Sequence, residues 1–251
     1  MAQPYLSIII PAYNEAERLP KTLVQMDKAL ADAEFTYEIL VSDNGSRDET
    51  RAIVRNMEKV VRNLKLVDGK TGGKGIAVRE GMLAAQGRVR LFTDADDSTP
   101  IGEFAKMMPY FKEGYDVVIG SRAVRGAVLD PPEPFYRQIA GKAINIVVQL
   151  LLLPGLWDTQ CGFKAFTADA AIRVFSRSKI PGWAFDVEIL SLARKMGYRI
   201  KEMPVHWIND TRSHVKFAAG FQFLGEALKV RWWLWRGSYP LAALDTRPGL
   251  G

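Results

Sequence analysis

Short apolar runs alternate with helix-period segments through the first half of the chain, and few folds accept that alternation. Tyr5–Ile10, Tyr37–Ser42, Leu64–Val67, Val89–Thr93 and Val117–Gly120 read as strands. Between the first two, Leu19, Leu23, Met26 and Leu30 fall on one face of a helix. Ser46-Arg47-Asp48-Glu49 has the form of a capping box, and Lys74–Ala85 is expected to be helical. Thr99-Pro100 supplies an N-cap and a proline at the first position of another helix. Repeated β-α units give a mostly parallel sheet with helices on both faces, because each crossover must pack back onto the sheet. Ligands of such sheets sit beyond the carboxyl ends of the strands. Pro11, Asp43, Asp94 and Ser121 are therefore expected on one rim.

The second half is less regular. Ala123–Pro134 reads as a loop broken by Gly126 and Pro131-Pro132, and Phe135–Leu153 as a helix. Phe163–Phe166 and Tyr198–Trp207 read as strands, Trp183–Lys195 as a helix, and Lys216–Arg236 as a long amphipathic helix ending in clustered Trp and Arg. The segment after Pro240 is expected to be loose.

A net charge of +6 over 251 residues favours an anionic partner: phosphate groups, an acidic lipid surface or nucleic acid. No nucleic-acid motif accompanies the charge, so nucleic acid is not the expected partner. One cysteine, Cys161, rules out an intrachain disulfide. The start of the chain carries no basic stretch of the signal-peptide kind, so none is expected. The longest apolar run, Ile146 to Trp157, is interrupted by Gln149 and Pro154 and is shorter than the about 20 residues a spanning helix needs. His206 and His214 are the only histidines, which leaves no zinc pattern, and no G-x-S-x-G elbow is present.

The chemistry concentrates in Leu91-Phe92-Thr93-Asp94-Ala95-Asp96-Asp97, a buried strand that stops in acid. Asp94 and Asp96 offer hard oxygen ligands for Mg²⁺ or Mn²⁺ bound against a diphosphate. Asp43 ends its own strand; Asp43-Asn44-Gly45-Ser46 is either a turn or an acceptor for a nucleobase N–H. Gly69-Lys70-Thr71-Gly72-Gly73-Lys74-Gly75 fails the Walker and G-x-G-x-x-G spacings but forms a basic, flexible loop before a helix N-terminus, a candidate anion site. Arg122, Arg125 and Arg137 flank the irregular loop, and Arg212, Ser213, His214 and Lys216 form a second basic cluster; arginines so placed are solvated or clamp a phosphate. In Trp183-Ala184-Phe185-Asp186-Val187-Glu188 the aromatics suit a core or a sugar face, and Asp186 or Glu188 is a candidate acid, base or hydrogen-bond acceptor.

Together these motifs make the chain resemble the family-2 inverting glycosyltransferases of GT-A fold, and within them the dolichyl-phosphate (polyprenyl-phosphate) β-glucosyltransferases, relatives of the dolichyl-phosphate mannose synthases. Pro11-Ala12-Tyr13-Asn14-Glu15 and Ser42-Asp43-Asn44-Gly45-Ser46 resemble the nucleotide motifs, Gly72-Gly73-Lys74-Gly75 the glycine-lysine loop, and Asp94-Ala95-Asp96 the DxD motif. Gly120-Ser121-Arg122, Asp158-Thr159-Gln160-Cys161-Gly162-Phe163-Lys164 and Trp183–Glu188 look like the glucosyltransferase branch. The mannose synthases often carry Gln two residues after the second metal Asp, where this chain has Ser98.

The resemblance implies metal-dependent inverting transfer from a nucleotide sugar, UDP-glucose foremost, to a polyprenyl phosphate. GDP-mannose as donor, or a soluble acceptor, is the alternative. Pro11, Ala12, Tyr13, Glu15, Asp43, Gly72, Lys74, Asp94, Ala95 and Asp96 would bind the nucleotide sugar, with Asp94 and Asp96 as metal ligands. Arg122, Arg137, Ser213 and Lys216 would meet the acceptor phosphate, and Asp94, Asp96, Arg122, Arg137 and Asp186 would form the catalytic set. The expected organisation is a catalytic domain over 1–216 and an interfacial helix and tail over 217–251. The apolar helices Ile144–Trp157 and Phe217–Trp235 fit a peripheral position on the cytoplasmic face of a membrane, or burial in the core or a homodimer.

Overall fold

The computed structural model describes residues 3–69, 71–131, 135–208 and 218–240; at 135–140, 142, 143, 218, 219 and 221 it describes the backbone alone. In chain order the elements are β1 (Leu6–Ala12), α1 (Leu19–Ala29), β2 (Tyr37–Asp43), α2 (Thr50–Met57), β3 (Leu64–Asp68), α3 (Lys74–Ala84) and β4 (Val89–Phe92). A 3₁₀ turn, Ile101–Glu103, leads into α4 (Phe104–Lys112), followed by β5 (Val117–Ser121), β6 (Val128–Asp130) and α5 (Phe135–Leu151). Next come β7 (Lys164–Thr167), α6 (Ala168–Phe175), α7 (Phe185–Lys195), β8 (Ile200–Pro204), β9 (His206–Ile208) and α8 (Ala218–Trp235).

Seven strands form one sheet in the order β3-β2-β1-β4-β7-β5-β8. All run parallel except β7, which is antiparallel to β4 and β5. Insertion of β7 brings its preceding turn, residues 158–163, beside the acid-terminated end of β4. Side chains of β1 alternate between two cores: Ile9 packs under α3, α6 and α7, whereas Ile8 and Ile10 pack under α1, α2 and α4. Helices thus cover both faces, as the β-α repetition requires. Phe92, Phe166, Phe175 and Phe185 form an aromatic cluster, with centroids 5.3–6.4 Å apart along its ring pairs, which ties β4 and β7 to α6 and α7.

Several local expectations are corrected. Ser46 does not cap a helix: its hydroxyl accepts the Asn14 N–H, and α2 begins at Thr50, whose N–H and hydroxyl donate to Asp48. Thr99 caps nothing; a 3₁₀ turn absorbs the start of α4. The loop expected over 123–134 contains β6, which pairs with β9 in a small second sheet. That pairing splits the expected strand 198–207 at Val205, whose N–H still donates to Ser121 while its carbonyl accepts from Val128. The division expected at residue 216 is not a division of the core. Phe223, Ala227 and Val230 of α8 are buried with α7, Glu226 accepts the Ala184 N–H, and Tyr239 donates to the buried Glu188.

Candidate active site

Tyr13-Asn14-Glu15-Ala16, after β1, is clasped to the segment after β2. Besides the Asn14–Ser46 bond, the Arg47 N–H donates to Asn14 Oδ1, the Glu15 N–H to Thr50 Oγ1 and the Ala16 N–H to Asp48. Asn14 has φ +54°, a region Asn tolerates. This leaves Tyr13 half-exposed on the rim. Glu15 is held by Arg18, whose Nη2 and Nε donate to its two carboxylate oxygens at 2.7 and 2.8 Å. Its burial raises its pKa, Arg18 opposes the rise, and the charges of Asp96 and Asp94 reinforce it.

Asp43 makes the turn in this structure. Its buried carboxylate accepts the N–H groups of Gly45 and Ser46 and the Arg51 Nε at 2.6 Å. Burial alone would raise its pKa, yet hydrogen bonds from Ser46, Arg51 and Gly45 hold it below the usual range. The glycine-lysine loop is likewise not an open nest of amides. Asn44 Oδ1 accepts from both Gly72 and Gly73 at 3.0 Å. Gly73, at φ +119°, lies where a Cβ would run into the Pro181 carbonyl, so its glycine serves loop packing. What the loop offers the rim is Lys74.

Lys74 Nζ sits 2.5 Å from Asp94 Oδ1 and over the Trp183 ring. Burial works against this ammonium, but Asp94, Asp186 and Asp96 outweigh it and raise its pKa. Asp94 is pressed from the other side by Gly162, where any Cβ would overlap its carboxylate. Ala95 is buried, and its carbonyl accepts the Thr22 hydroxyl at 2.7 Å. Asp96 Oδ1 accepts the Ser98 N–H, and Asp97, at φ +55°, is pushed up to about 6 by burial and by Asp96, against Lys21.

Beneath this pair lies a buried ion pair, Lys164 to Asp186 at 2.5 Å, in which Lys164 also donates to the Cys161 carbonyl and faces the Phe92 ring. Burial raises the Asp186 pKa, while Lys164 and then Lys74 pull it back. Glu188 is committed elsewhere, accepting from the Lys179 and Ile180 N–H groups and the Tyr239 hydroxyl. Arg122 is anchored by a carboxylate: Asp158 takes its Nε and Nη2 at 2.8 and 2.9 Å, and Trp207 lies beside it. Burial would raise the Asp158 pKa, but Arg122 overcomes it. Arg137 lies in α5 with its side chain outside the described residues, as are Ser213 and Lys216.

Glu15, Lys74, Asp94, Asp96 and Asp186 therefore lie within reach of one another's charges, Tyr13 follows the end of β1, and Asp43 and Gly72 make loop contacts. The expected reading did not assign functions to Lys164, Asp158, Asn44 or Gly162. One signal was available: Lys164 interrupts Phe163–Phe166, an otherwise apolar strand, and a charge there demands an acid partner.

Asp94 and Asp96 fit a divalent cation in donor chemistry, and Asp94 already takes a cation, the Lys74 ammonium. Among the described residues no cluster of three or more His, Cys, Asp or Glu could hold a metal.

A mostly parallel sheet with an acid pair at its carboxyl rim fits a nucleotide-sugar transferase of the GT-A kind. The model of glycosyl transferase family 2 matches residues 7–175. The chain is 38% identical over 243 residues to a dolichyl-phosphate β-glucosyltransferase of Dictyostelium discoideum, covering 90% of this chain and 74% of that one. It is 35% identical over 221 residues to the Homo sapiens protein of that name, covering 80% and 67%. The chain belongs to glycosyltransferase family 2 and, within it, to the dolichyl-phosphate β-glucosyltransferases. Among solved structures, glucosyl-3-phosphoglycerate synthase of Mycobacterium tuberculosis, in complex with Mn²⁺, UDP and glucosyl-3-phosphoglycerate, superposes with a TM-score of 0.65 at 17% identity over 91% of this chain and 80% of that one. Mannosyl-3-phosphoglycerate synthase of Rubrobacter xylanophilus gives 0.66 at 16% identity, over 99% and 79%. These two likenesses establish the fold.

Proposed function

We propose that the protein transfers glucose from UDP-glucose to a polyprenyl (dolichyl) phosphate, with inversion at the anomeric carbon. The observation that carries this reading is the Asp94, Asp96 and Lys74 rim in a chain 38% identical to an enzyme named for that reaction. Mg²⁺ or Mn²⁺ held by Asp94 and Asp96 would neutralise charge developing on the departing diphosphate. Tyr13 offers an exposed ring to the nucleotide. Glu15, fixed by Arg18, stands beside the acid pair to orient it. Arg122, Arg137, Ser213 and Lys216 are the candidates for the acceptor phosphate.

The state of the two candidate bases in α7 favours a phosphate acceptor over a hydroxyl. A hydroxyl needs a base to remove its proton. Asp186 is paired with Lys164 and Glu188 is saturated by three donors. A phosphate is already ionised and needs no such base.

Radiolabel transfer from UDP-glucose to polyprenyl phosphate in detergent, with Mg²⁺ or Mn²⁺, is expected to give organic-extractable, acid-labile label. Label from GDP-mannose alone would move the protein to mannosyl transfer. Label from neither donor would reject the lipid-phosphate reading.

The acceptor lies in a membrane, and we place the protein peripherally on its cytoplasmic face. Among the described residues no helix is long and apolar enough to span one. The outer side of α8 exposes Leu228, Trp232 and Trp235, the last 76% exposed, with Arg236 beside the Trp232 ring and Lys229 beside Trp233. The neighbouring α5 exposes Ile146 and Leu150. Clustered Trp with Lys and Arg suits the interface. Replacing Trp232 and Trp235 together by Ser should lower co-sedimentation with phosphatidylcholine–phosphatidylserine vesicles at least fivefold. Unchanged binding, with a halved mass in solution, would assign this face to a homodimer.

A further inference from the structure

We propose that Lys74 is a partner-exchanging counter-cation, seated on Asp94 before a divalent metal binds and handed to Asp186 when the metal takes Asp94. The inference rests on the metal reading of Asp94 and Asp96 and adds a role for Asp186 that is neither base nor ligand.

The geometry carries it. Lys74 stands at the start of α3, between two residues fixed to the 181–185 segment. Gly73 packs where a Cβ would run into the Pro181 carbonyl, and the Gly75 N–H donates to that same oxygen at 2.9 Å. A Cβ on Gly75 would meet Phe185, the neighbour of Asp186 in the first turn of α7, and the Lys74 ammonium lies by the Trp183 ring, so the lysine starts out packed beside that turn. Its side chain is 26% exposed and that of Asp94 35%, so this pair can open, whereas Lys164 and Asp186 are buried. The field of Asp186 already acts on Lys74, second only to Asp94 among the charges there.

A metal and the Lys74 ammonium cannot share Asp94 without strong repulsion at that range. Released into water, the ammonium would leave Asp186 with Lys164 alone. Passed toward Asp186, it stays beside the rim over Trp183, where it can meet an anionic diphosphate. The exchange lowers the cost of metal binding because the displaced cation has a second seat.

The test is Mn²⁺ binding to the full chain without nucleotide, read from the electron paramagnetic resonance signal of free Mn²⁺. Lys74→Met removes the competitor and should tighten Mn²⁺ at least threefold. Asp186→Asn, similar in size, removes the second seat and should weaken it about tenfold. In the Lys74→Met background the same Asp186→Asn change should matter less than twofold, since Asp186 acts through Lys74. Equal effects of Asp186→Asn in both backgrounds would overturn the exchange and leave Asp186 as a general field. If Asp186→Asn does not fold, Lys74→Met decides alone: unchanged Mn²⁺ affinity overturns the proposal. Absence of saturable Mn²⁺ binding in both the unaltered protein and Lys74→Met would sink the metal reading itself, and this inference with it.

Discussion

Asp96→Ala should lower sugar transfer by at least a thousandfold while leaving the melting temperature within a few degrees. Asp96 makes one described hydrogen bond to the protein, from the Ser98 N–H, so its loss costs the fold little. Its loss to the chemistry is larger, because it halves the carboxylate set that faces the diphosphate. Stabilisation of a departing phosphate by a bound metal contributes several kcal/mol, and about 1.4 kcal/mol is a factor of ten in rate. The measurement is kcat with saturating donor and Mn²⁺, alongside thermal unfolding. Activity within tenfold of the unaltered protein would remove Asp96 from the machinery. Loss of activity with a large fall in melting temperature would instead show a structural role.

The second large effect is on stability. Lys164→Met should destabilise the protein by about 3 kcal/mol or more, because it takes from the buried Asp186 the one ion-pair partner buried with it. For a chain of this size that corresponds to a melting temperature lower by roughly 10 °C. Replacing both residues, Lys164→Met with Asp186→Leu, should recover at least half of the loss, since an apolar pair of similar volume needs no charge compensation. The sign of the pH dependence follows from burial, which raises the Asp186 pKa. Without Lys164 the carboxyl is most easily buried when protonated. The deficit of the single variant should therefore shrink as pH falls from neutrality toward the ordinary aspartate range. A deficit independent of pH, with no recovery in the double variant, would mean that Lys164 contributes packing rather than charge.

Much of the molecule was legible in the order of residues. The β-α repetition gave the parallel sheet and helices on both faces, because period and connection length leave little choice. The acid-ended run at 91–97 gave the rim, because a strand that terminates in carboxylates must do so at its carboxyl end. Other motifs carry structural duties that the local pattern did not show. Asp43, Ser46 and Gly72 each make hydrogen bonds that hold loops together. Local pattern cannot separate a turn carboxylate from a ligand carboxylate, since both occur at strand ends with the same neighbours. The capping box at 46–49 failed because Asn14, distant in sequence, competes for Ser46. The C-terminal helix was recognised as apolar and basic, yet one side of it completes the core.

The sequence by itself determined the fold class, the acid pair and the family, because these depend on periodicity and on short contiguous motifs. Only the tertiary structure decided who pairs with whom. β7, entering antiparallel between β4 and β5, carries Lys164 to Asp186 and sets Gly162 against Asp94. The end of β5 brings Arg122 to Asp158. Residues far apart in the chain acquire partners through strand order, and a buried charge tolerates its position only when such a partner is there.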